Sequence, residues 1–166
     1  ATEPVMSVTA PRSLHTIPVL RLHGAAGLLG FLIILTFWAT TVASELFGSP
    51  ATVAAVKQAI AWALLLLVPA LAIAGLSGVR MAGAATGPVL AAKRRRMPLI
   101  ALNGVLVLVP CAVTLAVLAG RGDFGATFQA VQALELMAGL VDLVLIGVNV
   151  RDGRALTARR AAATAA

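Results

Sequence analysis

Four long apolar segments constrain this chain more than any other feature of its sequence. They cover residues 24–44, 59–79, 98–119 and 128–150. Each is close to the roughly 20 residues that cross about 30 Å of hydrocarbon as a helix. Because a backbone in lipid must satisfy its hydrogen bonds within its own segment, each span is expected to be helical. The sequence therefore predicts an all-α, four-helix transmembrane bundle.

The composition and the loop lengths agree with this prediction. Of the 166 residues, 60% are hydrophobic and 11% are charged, whereas soluble domains have about 45–50% and about 25%. The loops SELFGSPATVAAVK and GRGDFGATF are too short to hold a domain. We expect a membrane domain over residues 21–154, a mobile N-terminal tail over 1–20 and a mobile C-terminal tail over 155–166. No soluble catalytic domain is expected in this chain.

The basic residues predict how the bundle is oriented. Eleven of the 13 Lys and Arg residues precede the first span, lie between the second and third, or follow the fourth. Only Lys57 and Arg121 are placed on the other side, near the outer interface. The positive-inside rule then predicts that both termini and the middle loop are cytoplasmic. The expected location is the inner membrane of a bacterium, as a multi-pass protein.

The first span has an alternative interpretation as a cleaved signal peptide. Residues 42–44, Val-Ala-Ser, resemble a small-residue cleavage site. Its apolar run, however, exceeds the 7–15 residues of a typical signal sequence, and three further spans follow it. We therefore expect the first span to be retained.

The fourth span carries a polar seam. Its members follow alternating steps of three and four residues: Gln132, Glu135, Gly139, Asp142, Ile146 and Asn149. The other faces are apolar, so the seam should turn inward or towards another subunit. Glu135 and Asp142 are roughly 10 Å apart along the helix, too far to share one proton or one metal ion.

Partners for these two acids can be sought at matching depths. Asn103 on the third span is placed to approach Asp142, but neither acid has an obvious cation within the membrane. Three interpretations stay open. The acids can be protonated and hydrogen-bonded within the bundle, they can form a proton or ion site, or the seam can face a partner subunit.

The histidines limit any role in haem binding. Haem held by two histidines in a membrane protein needs them on facing helices, and the second, third and fourth spans contain none. His15 and His23 both fall at the cytoplasmic side. His23 is a candidate axial ligand for a haem or chlorophyll-type pigment shared with another chain. The alternative is a polar residue at the level of the lipid head groups.

Other sequence signals give partners and exclusions. Lys93, Arg94, Arg95 and Arg96 form a basic run beside the membrane, which is expected to attract anionic lipid by about 1 kcal/mol per residue. Nucleic acid is not an expected partner. The motifs CxxC, HExxH and GxSxG do not occur, so no metal site and no catalytic residue is predicted. The prolines Pro69 and Pro110 near mid-membrane are either tolerated kinks or, less simply, a trace of an inverted repeat.

Several short motifs carry a resemblance that covers the whole chain. They are SELFG, KRRRMP, the ALNG of the third span, and QALEL with NVRDG in the fourth. With these, the chain resembles small four-helix inner-membrane proteins of bacteria, a resemblance that implies a topology and no activity. Its plan is also similar to the four-helix membrane anchors of respiratory complexes, although it lacks haem-ligand histidines inside the spans.

These observations support two functional hypotheses. The first is a non-catalytic integral subunit or anchor of a larger electron-transfer complex, respiratory or photosynthetic. Its polar seam would contact other membrane subunits, a quinone or a pigment. The alternative is a small oligomeric ion- or proton-coupled transporter or channel that uses Glu135 and Asp142. Gln132, Asn103 and Asn149 would then be supporting polar groups.

Overall fold

The structure is a computed structural model that describes residues 16–82 and 87–165, and within these ranges it contains helices and no strand. The helices are α1 (Thr16–Phe47), α2 (Pro50–Ala82), α3 (Pro88–Asn103), α4 (Val109–Gly120) and α5 (Ala126–Ala165). A π-helical turn, Gly104–Leu108, joins α3 to α4, so the two form one continuous span. Most of the predicted N-terminal tail (residues 1–15), with His15, lies outside the described residues.

Four stretches of these helices are long and apolar enough to cross a membrane. They are Leu22–Phe47, Pro50–Arg80, Ala91–Gly120 and Ala126–Ala155. The predicted four-helix architecture of a multi-pass membrane protein is therefore confirmed. The helices extend beyond the apolar segments, because backbone hydrogen bonding does not stop at the first charged residue. The last helix continues to Ala165, where a mobile tail was expected.

The four spans form a closed bundle. The first helix packs against α2 and α5, and α4 packs against the same two helices. Consequently α2 and α5 face each other diagonally across the bundle axis. We call the end that carries the loops 48–49 and 121–125 the outer end, and the opposite end the inner end.

Small residues allow the first two helices to approach closely. A Cβ added to Gly30 would lie 2.6 Å from Leu71 Cδ2, so a larger residue at this crossing requires the Leu71 side chain to move. On the facing side of α2, Ala70 and Ala74 are buried. Lipid supplies no hydrophobic driving force between helices, so such rows of small residues stabilise the contact by allowing close packing.

The outer end is closed by an apolar cluster. Val53, Leu115, Ala119 and Phe128 are buried together. The Phe128 ring meets the Phe124 ring edge to face, with centroids 5.1 Å apart. This cluster fixes the start of α5 against α2 and α4, and so sets the depth of the polar seam below it.

The π-helical turn has a local cause. The Val109 N–H donates to the Gly104 carbonyl, five residues back instead of four. The next residue, Pro110, has no N–H, and its ring would clash with the Leu106 carbonyl in a regular helix. The wider turn relieves that clash. By contrast, Pro69 lies inside an unbroken α2.

Candidate functional site

The polar seam of α5 faces the interior of the bundle. Gln132, Asp142 and Asn149 are 4%, 1% and 5% exposed. The chain's own helices cover the seam, so of the two orientations that the sequence left open the structure has the inward one. The seam meets polar residues of the other helices at three levels.

The outermost level is a buried ion pair with two hydrogen-bonded neighbours. We call these four residues the outer cluster: Thr41, Lys57, Gln132 and Glu135. Lys57 Nζ lies 2.5 Å from Glu135 Oε2 and donates to Thr41 Oγ1 at 3.2 Å. Gln132 Nε2 donates to the same Glu135 oxygen at 3.3 Å. The Lys57 side chain is completely buried and the Glu135 side chain is 12% exposed. Lysine thus reaches from α2 across the bundle axis to the diagonal helix.

The expectation that neither seam acid has a cation within the membrane is wrong for Glu135. Helix α2 begins at Pro50, nine residues before the predicted span, so Lys57 lies two turns inside the helix. A signal for this position was available in the sequence. Lys57 follows Val53 by four residues and precedes Ile60 by three, the seam spacing of a core face, and both neighbours are buried.

The middle level joins Asp142 to an amide. Asn103 Nδ2 donates to Asp142 Oδ1 and to the Ala138 carbonyl, each at 2.9 Å. The approach of Asn103 predicted from its depth is therefore present. Within the described part of the chain, no ion pair includes Asp142. The π-helical turn begins at this level, since a Cβ added to Gly104 would lie 4.0 Å from Asp142 Oδ2.

A cavity of about 50 Å³ lies along the axis beside Glu135. Its wall is mostly apolar, with Glu135 and Thr41 as polar exceptions. The Trp38 ring closes one side, where its Nε1 donates to the Leu136 carbonyl at 3.1 Å. Gly139, between the two seam acids, also lines the cavity. At about 10–15 Å³ of such space per molecule, the cavity has room for a few waters.

The inner level ties α3 to α5. Arg96 Nη1 donates to Asp152 Oδ2 at 2.7 Å and to Asn149 Oδ1 at 3.3 Å. Asp152 continues the seam by a further step of three residues. Sequence reasoning missed Asp152, because the predicted span ended at residue 150.

The basic run is therefore divided between two surroundings. Arg96, predicted to contact anionic lipid, binds α5, because it lies on the α3 face that meets this helix. Lys93 Nζ lies beside the α5 backbone, 3.5 Å from where a Gly153 Cβ would be. Arg94 and Arg95 are exposed. For all four residues of the run, contact with anionic lipid stays a prediction.

The structure places His23 at a helix–helix contact. Its Nδ1 donates to the Ala74 carbonyl at 2.9 Å and lies 3.1 Å from Ser77 Oγ. The cavity is lined by α1 residues 34–41, more than ten positions away. Over the described ranges, no group of three or more His, Cys, Asp or Glu side chains could hold a metal ion. A haem or pigment role for His23 stays a prediction.

Taken along α5, the three levels differ in charge. Acids occur at each: Glu135 and Asp152 are paired with cations, and Asp142 between them is held by a neutral amide. Carboxyl groups inside a bundle can take up and release protons. The cavity lies next to the outermost of the three, Glu135.

Comparison with known proteins gives no further guide to this site. No family model, no curated protein and no solved structure matches the chain. The resemblance to small four-helix inner-membrane proteins therefore stays a prediction, and the function has to be argued from the geometry.

Proposed function

We propose that the chain is a small proton-coupled membrane transporter or channel in which Glu135 and Asp142 bind and release protons. The observation that carries this proposal is the completely buried Lys57 beside Glu135 inside a membrane span. Ionisable residues within membrane spans are costly. They almost always face the bundle interior or a water-filled cavity, and they mark proton and ion pathways.

The ion pair is poorly explained by stability alone. Removing two charges from water costs more than their attraction returns unless the geometry and the other hydrogen bonds are favourable. Replacing a buried ion pair by apolar residues of similar volume is often neutral or stabilising. A role that needs exchangeable protons accounts for the presence of Lys57 and Glu135 at this position.

Asp142 supports the proposal at the centre of the bundle. Its carboxyl group is bound by the Asn103 amide and no cation of the described residues pairs with it, so a proton can be added without breaking an ion pair. Glu135 is roughly 10 Å away along α5. Transfer between the two acids needs water or a side chain in between, and the cavity beside Glu135 and Gly139 provides space there.

The proposal includes a location and an orientation. With Lys57 inside the bundle, Arg121 is the one basic residue of the described ranges left at the outer end, against ten towards the inner end. This distribution favours a bacterial inner membrane with both termini in the cytoplasm. The outer cluster then faces the extracytoplasmic side.

Proton flux into liposomes that contain the purified chain tests the proposal. With a pH-sensitive dye trapped inside, we expect Asp142→Asn and Glu135→Gln each to slow the flux at least about tenfold, which is about 1.4 kcal/mol of barrier. Asp123→Asn is the matched control, because Asp123 is an exposed acid in an outer loop. The proposal is contradicted if the chain passes no more protons than empty liposomes, or if both seam variants retain the flux.

The hypothesis of a non-catalytic subunit of an electron-transfer complex stays a prediction. The seam that suggested docking to a partner, a quinone or a pigment is covered by the chain's own helices. The exposed apolar faces of the described helices are available to partner subunits. Purification of the chain alone, colourless and monodisperse, would count against this hypothesis.

A further inference from the structure

A second carboxylate, Glu45, lies next to the outer cluster. Glu45 follows Thr41 by four residues, so the two share one face of α1, and Thr41 already accepts a hydrogen bond from Lys57. Long side chains on a helix lie over the preceding turn, which directs Glu45 towards the level of Thr41. The negative charge of Glu45 also acts favourably on the Lys57 ammonium group.

The surroundings of the outer cluster are short of hydrogen-bond donors. Glu45 Oε1 and Gln132 Oε1 are both buried and have no partner among the described residues. The Gln132 amide is oriented by its donation to Glu135, so the unpartnered atom is its carbonyl oxygen. Buried acceptors without donors are costly. One added proton on a carboxylate would supply a donor.

The charges in this region point to the same shortage. The titratable groups that interact with Lys57 are Glu45 on α1, Glu135 on α5 and the buried thiol of Cys111 on α4. With both carboxylates ionised and the thiol neutral, two negative charges surround one positive charge. A low-dielectric interior favours neutrality, and one further proton would provide it.

We propose that Glu45 and Glu135 are alternative partners of the Lys57 ammonium group, and that binding of one proton by Glu135 moves this group from Glu135 to Glu45. The proton forms an O–H bond on Glu135, whose ion pair with Lys57 breaks. The ammonium group keeps its three hydrogens and turns to Glu45. Release of the same proton from Glu135, which lines the cavity, reverses the step. The inference rests on the proposed function for its role in transport.

Unfolding of the detergent-solubilised full chain tests the shared partnership. Either single variant, E45Q or E135Q, leaves Lys57 one carboxylate, whereas the double variant leaves a buried ammonium group with none. We therefore expect the double variant to lose more stability than the two single losses added together. In a K57M background this excess should disappear. Asp123→Asn again serves as the control for loss of an acid.

Infrared titration gives an independent readout of the proton. In a D142N background, the carboxyl band of the wild-type cluster should appear at a higher pH than that of either E45Q or E135Q, because only the wild type has two carboxylates beside one cation. Additive stability losses, an excess that persists with K57M, or equal carboxyl bands in all three chains would each overturn the proposal. If the double variant cannot be purified, purification of the triple variant K57M/E45Q/E135Q supports the proposal, and its failure overturns it.

These results separate the inference from the proposed function. Strong coupling between Glu45 and Glu135 in a chain that passes no protons would keep the ion-pair switch and remove transport. Proton flux together with additive stability losses of E45Q and E135Q would keep transport and remove the ion-pair switch.

Discussion

One residue, Asn103, joins α3 to α5 at the middle of the bundle through its side-chain amide nitrogen. Asn103 Nδ2 uses both hydrogens, one on Asp142 Oδ1 and one on the Ala138 carbonyl. Interhelical hydrogen bonds in membranes are modest in net free energy, on average about 0.6 kcal/mol. Loss of a donor to a buried carboxyl group costs more, because the acceptor is then left without a partner.

Asn103→Leu should therefore lower the free energy of unfolding by about 1–3 kcal/mol, the cost of an unsatisfied buried polar group. Adding Asp142→Leu should recover more than half of this loss, because no polar group is then left unpaired. Reversible unfolding in mixed micelles measures both variants. Leu102→Ala, at an exposed neighbouring position, should change stability by less than about 1 kcal/mol. An unchanged Asn103→Leu variant would show that Asp142 has another partner.

Residues of the site were predictable to different degrees. The Asn103–Asp142 contact follows from equal depth on two spans that are both well marked by hydropathy. The Lys57–Glu135 pair does not, because hydropathy ends the second span at its first charge and assigns Lys57 to the interface. The four methylenes of lysine let the ammonium group cross the bundle from an otherwise apolar face. Asp152 was missed for the same reason at the other end of α5.

The π-helical turn acts at the scale of an element. A π turn holds one residue more than the α-helical turn it replaces. The wider turn absorbs this extra residue, so Asn103 before the turn and Leu115 after it both face the interior while Pro110 is accommodated. If the same residues formed a regular α-helix, one of these two faces would rotate by about 100°.

A one-residue deletion and a one-residue insertion within this turn should therefore differ in their effect on stability. Deletion of Val105, which is exposed, should give a regular helix with both flanking faces preserved, most readily in a Pro110→Ala background. Insertion of one alanine after Val105 should rotate α4 and expose Leu115. We expect the insertion to cost at least about 2 kcal/mol more than the deletion with Pro110→Ala, as for loss of a buried leucine. Equal stability of the two, measured by unfolding in micelles, would contradict this account.

At the element scale, the sequence predicted the number and the type of the spans but not their ends. Apolar length sets the number, since each span must cross the hydrocarbon. The ends depend on backbone hydrogen bonds that continue through the interface. The alanine-rich residues beyond 155 favour helix whether or not lipid surrounds them. Pro110 indicates a disturbance in the third span, but the π turn could not be located from it.

At the scale of the whole molecule, acidic and basic residues occupy different places. Acids of the seam and Lys57 are inside the bundle, and the remaining basic residues concentrate at the inner end. The sequence could not show that the seam faces inward, because this depends on which helices are diagonal neighbours. The proposed orientation, by contrast, depends only on counting loop charges.

Labelling of single cysteines in intact cells tests this orientation. In a Cys111→Ala background, cysteines at Ser49 and Asp123 in the outer loops should react with a membrane-impermeant maleimide. A cysteine at Arg95 should react only after the cells are permeabilised. All three positions are exposed, so their access differs only by side of the membrane. The opposite pattern would invert the bundle and place the outer cluster towards the cytoplasm.

The indole of Trp38, hydrogen-bonded to α5 at the wall of the cavity, has an optical consequence. We expect its emission to respond to the charge of Glu135, which lines the same cavity, whereas Trp62 is 72% exposed at the surface of the bundle. With these two tryptophans and no tyrosine in the sequence, Trp62→Phe leaves one emitter beside Glu135. The chain thus contains its own fluorophore for following the charge state of its interior, without any attached dye.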